Sequence, residues 1–172
     1  KMSILDRSST GIFNGDDAEV VARATHWQGR KVFFSLDTPG PGEIGVVEEL
    51  LVDRAFVSDP KEAAMIAEVI DVIPTVPHNV SNALAAAGLA RAVGVNHAPI
   101  QAALQKFKLG RHRIENIFSK DEINWVDDSK ATNPHAAAAS LMATLSAIWI
   151  AGGLAKGAEM SEMISRCKSR IK

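Results

Sequence analysis

The stretch Val126–Pro134, VDDSKATNP, decides how this chain is read. It sets two carboxylates, a hydroxyl, an ammonium and an amide between an apolar run and the start of a helix. Ile123, Trp125 and Val126 read as the end of a short strand. Asn133 suits a helix N-cap and Pro134 the first helical position, where a missing N–H costs nothing. Asp128, Lys130 and Thr132 then fall in a strand-to-helix loop at the C-terminal edge of a sheet, where open α/β sheets bind their ligands. A solvated turn would also be polar, but it would not need a lysine between Asp-Ser and Ala-Thr-Asn directly after an apolar strand.

Working outward, Arg111–Phe118 and Glu122–Val126 read as two strands joined through Ser119-Lys120-Asp121. Downstream come the helix from Pro134, a strand over Ala147–Ala151, and a helix bearing Met160, Met163, Ile164 and Cys167. Strands alternating with helices predict a mostly parallel sheet with right-handed crossovers. Gly152 and Gly153 let the backbone approach a ligand or turn sharply. Lys156 follows, offering a cation at the same edge as Lys130. Two lysines beside helix N-termini suit a carboxylate-bearing substrate. The phosphate-loop pattern Gly-x-x-x-x-Gly-Lys-Ser/Thr is absent from the chain.

Upstream, Ile12-Phe13 predicts a strand, and Asp16 or Asp17 a cap for a helix running to about Ala24 with Val20 and Val21 inward. Lys31–Leu36 is a further strand, and IGVVEELLVDRAF a hairpin with Glu48-Glu49 near its turn, although Glu-Glu is not a favoured two-residue turn. Asp59-Pro60 introduces a helical stretch to about Ala67, and Val69–Ile73 reads as a strand. Val80–Val93, almost all Ala, Leu and Val, predicts a helix with hardly any solvated face, stopped by Gly94. Ile100, Ala103, Leu104 and Phe107 recur at helical spacing. Composition then changes, which places a domain boundary near residue 111.

Asn79 can cap the apolar helix. Asn82, three residues on and on the same face, is either satisfied in the core or offers its amide to a ligand such as an adenine edge. Arg113 suits a phosphate or ribose contact, or simply faces water from a surface strand. His26, His97 and His135 have no metal-ligand spacing. Cys167, the single cysteine, reads as a core thiol and fits a reducing compartment.

Together several motifs resemble the Mur ligases, and within them the branch that adds D-glutamate. They are Asn14-Gly15-Asp16-Asp17, His78-Asn79-Val80-Ser81-Asn82-Ala83-Leu84-Ala85-Ala86, His112-Arg113-Ile114-Glu115, Asp128–Pro134, and Gly152-Gly153 with Lys156. Order and spacing agree from Lys1 to about Gly157. One departure is Arg111, where the family often has proline before the His-Arg pair. The resemblance implies an α/β chain: residues 1–110 the second half of the central ATPase domain, residues 111–172 the start of a Rossmann-like C-terminal domain. The UDP-binding domain, the phosphate loop and the end of the C-terminal domain would be missing.

The implied reaction is ATP- and Mg²⁺-dependent formation of an amide between UDP-N-acetylmuramoyl-L-alanine and D-glutamate, through an acyl phosphate, in peptidoglycan synthesis. The alternatives are another Mur or folylpolyglutamate-type ligase, or a non-catalytic interaction module. By the match, Asn79 and Asn82 resemble adenine-side contacts, and Arg113 and Asp128 nucleotide contacts. Lys130, Thr132 and Lys156 resemble the D-glutamate pocket, with Lys130 catalytic. Lys1, in Lys1-Met2-Ser3-Ile4, resembles a catalytic lysine that holds magnesium when carbamylated, since a carbamate offers the oxygen ligands a hard cation takes.

The 172 residues, 47% apolar with a net charge of −1, describe a globular chain without the dense basic surface a nucleic acid needs. No signal peptide or membrane span is expected, and the location expected is cytoplasmic. The chain opens on Lys1 and closes on a helix, which reads as a piece of something longer: an enzyme that is monomeric at full length, and a fragment inactive alone.

Overall fold

Alternation along two strands sends Ile12, Val32 and Phe34 to one face of a sheet and Phe13 and Phe33 to the other. The computed structural model describes residues 2–59, 61–154 and 157–172. Its chain forms two units, Lys1–Phe107 and Lys108–Lys172.

The first unit contains β1 (Thr10–Asn14), α1 (Ala18–Thr25), β2 (Arg30–Phe34), β3 (Ile44–Val47), β4 (Leu50–Asp53), β5 (Ala64–Glu68), α2 (Pro77–Ala92) and α3 (His97–Lys106). The sheet runs in the order β1-β2-β3-β4-β5. The β1–β2 and β2–β3 pairs are parallel and the other two antiparallel. Asp17 caps α1, accepting the N–H groups of Glu19 and Val20 at 2.9 and 3.1 Å. The β3–β4 hairpin turns at Glu48-Glu49, where Glu48 takes φ +54°, as the first central residue of a tight hairpin turn does.

Helix α2 lies against β1, β2 and β3, burying Val80, Ala83, Leu84 and Ala87. Gly88 permits the close approach: a Cβ there would stand 3.0 and 3.1 Å from Ile12 and Ile44. The helix is not buried all round, however. Leu89 is 60% and Val93 80% exposed, so its apolar composition exceeds what this unit covers. Its N-cap is Val76, not Asn79, because Pro77 takes the first helical position.

Two expected elements are corrected here. Ala64–Glu68 is a strand rather than the end of a helix, because pairing with β4 buries Ile66 and Ala67 and overrides helix propensity. Val69–Asp71 is a 3₁₀ turn rather than a strand, with Asp71 accepting the Glu68 N–H at 3.1 Å. Pro60, in the same stretch, lies outside the described residues.

Asp53, the last residue of β4, is wholly buried. Its Oδ1 accepts the N–H groups of Ala55 and Phe56, both at 2.8 Å. Its Oδ2 accepts Arg91 Nε and His97 Nε2, both at 2.9 Å. Burial pushes the pKa of Asp53 up, but the bonds from Phe56, His97, Arg91 and Ala55 outweigh it and hold the carboxyl below its ordinary range. The end of β4, the last turn of α2 and the first turn of α3 thus meet at one carboxylate.

The second unit contains β6 (Glu115–Lys120), β7 (Ile123–Asp127), α4 (Pro134–Met142) and α5 (Ser161–Cys167). The two strands form an antiparallel hairpin whose central residues, Asp121 and Glu122, take φ of +51° and +62°, as a type I′ turn requires. Ala137, Ala138, Leu141, Met163 and Cys167 form its core, with Cys167 a fully buried free thiol. The expected strand over Ala147–Ala151 is absent. Only Ala147 bridges, in parallel, to Ile171, while Ile148 and Ile150 are 82% and 83% exposed. Among the described residues no neighbouring strand supplies the ladder that would bury them.

Removing the cation from the Asp53 cluster leaves a buried carboxylate with too few donors. Arg91→Ala should therefore destabilise the protein by about 3–5 kcal/mol. Urea unfolding measures this, and a loss under about 1 kcal/mol, typical of a surface pair, would contradict it.

Candidate functional site

The end of β7 delivers Asp127 and Asp128 into a loop that Asn133 closes by capping α4, accepting the Ala136 N–H at 2.9 Å. The loop is tight: Ala131 N donates to Asp128 O at 2.8 Å and Thr132 N to Lys130 O at 2.9 Å. Across from it lies the turn before β6. Lys130 N donates to His112 O at 3.1 Å, and Ile114 N to Asp128 Oδ1 at 3.1 Å. His112 Nδ1 donates to Asp127 Oδ2 at 2.6 Å, and the His112 N–H to Glu115 Oε2 at 2.8 Å. From α4, Ser140 Oγ donates to Asp128 Oδ2.

These bonds hold an unusual backbone. His112 and Ile114 have φ of +67° and +47°, the left-handed region that a β-branched residue rarely enters. Such strain persists where surrounding structure over-determines it. Between the two left-handed residues stands Arg113, exposed. Lys130 and Thr132 are exposed as well. Among the described residues, none of these three side chains has a hydrogen-bond or ion-pair partner. The frame is fully bonded while its cations are left free.

The structure thus brings Arg113, Asp128, Lys130 and Thr132 into one cluster of turns. Asn79 and Asn82 lie in the first unit. Asn79 is buried and its amide donates to Pro74 O at 3.0 Å, which satisfies it within the fold. Asn82 is exposed, contrary to the burial expected from its apolar neighbours. Lys1 and Lys156 lie outside the described residues. Sequence reasoning missed Asp127 and Ser140. Ser140 had a signal: it is the only polar residue between Ala136 and Met142.

His112, Glu115 and Asp127 are the one group among the described residues whose donor atoms could close on a metal ion, lying within 4.8 Å of one another. Their bonds to each other and to Ser129 N account for the arrangement without one. In the first unit, a shallow cavity of about 310 Å³ opens beside Gly15, Asp16, Ser35, Asp37 and Glu43. Three carboxylates and no cation in its lining make it unsuited to phosphate.

A mixed α/β chain carrying this loop belongs to the Mur ligases. The relatives it matches are UDP-N-acetylmuramoylalanine–D-glutamate ligases. It is 48% identical over 171 residues to that of Streptomyces coelicolor, covering 99% of this chain and 35% of that protein. It is 53% identical over 142 residues to that of Thermobifida fusca, covering 82% and 30%. For Mycolicibacterium vanbaalenii the identity is 51% over 142 residues, covering 82% and 28%. The chain spans about a third of the length of these curated relatives. No protein-family model matches it. No helix among the described residues is long and apolar enough to cross a membrane.

The bond from His112, and after it the Ser129 N–H, hold the Asp127 carboxyl down from 3.8 to about 2. A depressed folded pKa contributes stability that is fully present above about pH 4 and is lost as pH falls through about 2. Wild type should therefore lose thermal midpoint between pH 4 and 2 more steeply than Asp127→Asn, followed by dichroism on both; parallel curves would contradict the assignment.

Proposed function

We propose that this chain is part of an ATP-dependent ligase that joins D-glutamate to UDP-N-acetylmuramoyl-L-alanine. In this reading Lys1–Phe107 comes from the central nucleotide-binding domain and Lys108–Lys172 from the amino-acid-binding domain. The terminal carboxylate of the sugar peptide accepts a phosphoryl group. The amine of D-glutamate attacks the resulting acyl phosphate, an amide forms and inorganic phosphate leaves. ATP supplies the phosphoryl group and Mg²⁺ the neutralising charge.

The observation that carries the reading is the pinned loop after β7, with Lys130 and Thr132 free and exposed in a segment so similar to the D-glutamate ligases. Lys130 suits a carboxylate of D-glutamate or the charge growing at the reacting carbon. Thr132 offers a hydroxyl in the same loop, and Lys156 a second cation. Arg113 and Asp128 suit the phosphates and ribose of the nucleotide, and Asn82, exposed, an adenine edge. Asn79 supports that turn through Pro74 rather than presenting a free amide. Magnesium would be held by Lys1 in its carbamylated form. The exposed apolar residues Phe118, Ile123 and Trp125 on the β6–β7 hairpin, Leu89 on α2 and Val93 just after it support a longer parent that covers them. The reading places the enzyme in the cytoplasm, as a monomer at full length.

In the full-length protein, Lys130→Ala should lower kcat/KM by roughly 10²-fold, about 3 kcal/mol of transition-state stabilisation. Melting should be unchanged, because no packed contact is lost. Steady-state kinetics showing a change within about twofold would remove Lys130 from the site. Assays of phosphate release with D-glutamate, L-alanine, a diamino acid and a folate test the amine. Faster turnover with any of the others would favour another Mur or folylpolyglutamate-type ligase. The chain alone, lacking a phosphate loop, should form no product in a single-turnover assay, and product formation would contradict the domain assignment.

A further inference from the structure

Asp128 is bonded on both oxygens, to donors distant in sequence on two different elements of the second unit. One oxygen accepts Ile114 N and the other Ser140 Oγ. These two donors come from opposite sides. Ile114 belongs to the strained turn that displays Arg113. Ser140 sits on α4, whose neighbours Ala137, Ala138 and Leu141 are buried against Met163 and Cys167. The hydroxyl proton has a second possible acceptor, Ala136 O one turn back at 3.3 Å. The contact to Asp128 is much the shorter and is charge-assisted, so the proton goes to the carboxylate. Ser140 is also only half-buried, so its removal leaves no unsatisfied donor in the core.

We propose that Ser140 is a positioning residue for the nucleotide side of the site, fixing the Asp128 carboxylate against α4 so that Asp128 and Arg113 are held together at the ligand. This rests on the ligase reading given above. Without the Ser140 bond, Asp128 keeps only the Ile114 N–H and is free to turn about its side-chain torsions. The remaining acceptor capacity of the carboxylate, two lone-pair directions beyond those already taken, then no longer points one way. A ribose hydroxyl that needs it in one orientation loses that orientation, and the Arg113 turn loses its tie, through Asp128, to α4. The Lys130 loop is held separately through His112 O, so the D-glutamate side should be spared.

The test compares wild type, Ser140→Ala and Ser140→Thr in the full-length ligase. Ser140→Ala should lower kcat/KM for ATP by about tenfold, the worth of one charge-assisted hydrogen bond. The KM for D-glutamate should stay within about twofold and the melting temperature within about 2 °C, since alanine favours the helix. Ser140→Thr, which keeps the hydroxyl, should recover most of the loss. An unchanged ATP dependence in Ser140→Ala, or a threonine variant no better than alanine, would overturn the proposal. Calorimetric titration with ATP separates this from the ligase reading. A wild type that binds ATP without adding D-glutamate, and whose Ser140→Ala form binds ATP about tenfold more weakly, overturns that reading and supports Ser140. A wild type with no ATP affinity overturns both.

Discussion

Carboxylates that accept backbone N–H groups order the loops within each unit. Asp53 takes the N–H groups of Ala55 and Phe56, Asp16 that of Leu36, Asp127 that of Ser129, and Asp128 that of Ile114. Each satisfies donors that no sheet or helix reaches, and a bond to an ionised acceptor contributes more than a neutral one. The chain holds 20 acidic residues against 19 basic ones. Most of the acidic residues face solvent, and the few that turn inward are the ones that order these loops.

The two units use the device for different ends. Asp53 is dry, and it draws in Arg91 and His97 because a buried anion left alone would be prohibitively costly. What results is a joint between β4, α2 and α3. Asp128 is half-buried and gathers neutral donors only, an amide and a hydroxyl. Its result is a frame for a turn whose backbone, at His112 and Ile114, would not hold that shape alone.

How much of this was legible in the sequence depended on whether the signal was local. Asn133-Pro134 declared the start of α4, and Asp16 or Asp17 that of α1, because caps are decided by adjacent residues. The turn near Glu48-Glu49 was placed by the apolar runs on either side, Glu-Glu itself not being a favoured hairpin pair. The strand at Ala64–Glu68 was hidden, since its residues favour a helix and only the distant partner β4 makes it a strand. The stretch Ala147–Ala151 failed the other way. Its β-branched and aromatic residues predicted a strand, yet a strand needs a neighbour and here finds a single bridge. At the site, Asp128, Lys130 and Thr132 were visible as a motif. The roles of Asp127 and Ser140 were not, because each depends on a partner more than ten residues away.

A site that waits for an anion has a specific electrostatic requirement, and the loop after β7 meets it. Any ion pair formed at rest must be broken before a phosphate or carboxylate can take the cation, and the cost of breaking it is subtracted from binding. Asp127 and Asp128 stand beside Lys130 in sequence and are bonded to the turn that carries Arg113, so they would be the natural partners of both cations. Backbone amides, His112 and Ser140 occupy them instead. The cations stay solvated, which costs them little, and under the proposed function they would need to shed only water to take a ligand. Engaging the carboxylates is therefore as necessary to such a site as supplying the lysine and the arginine.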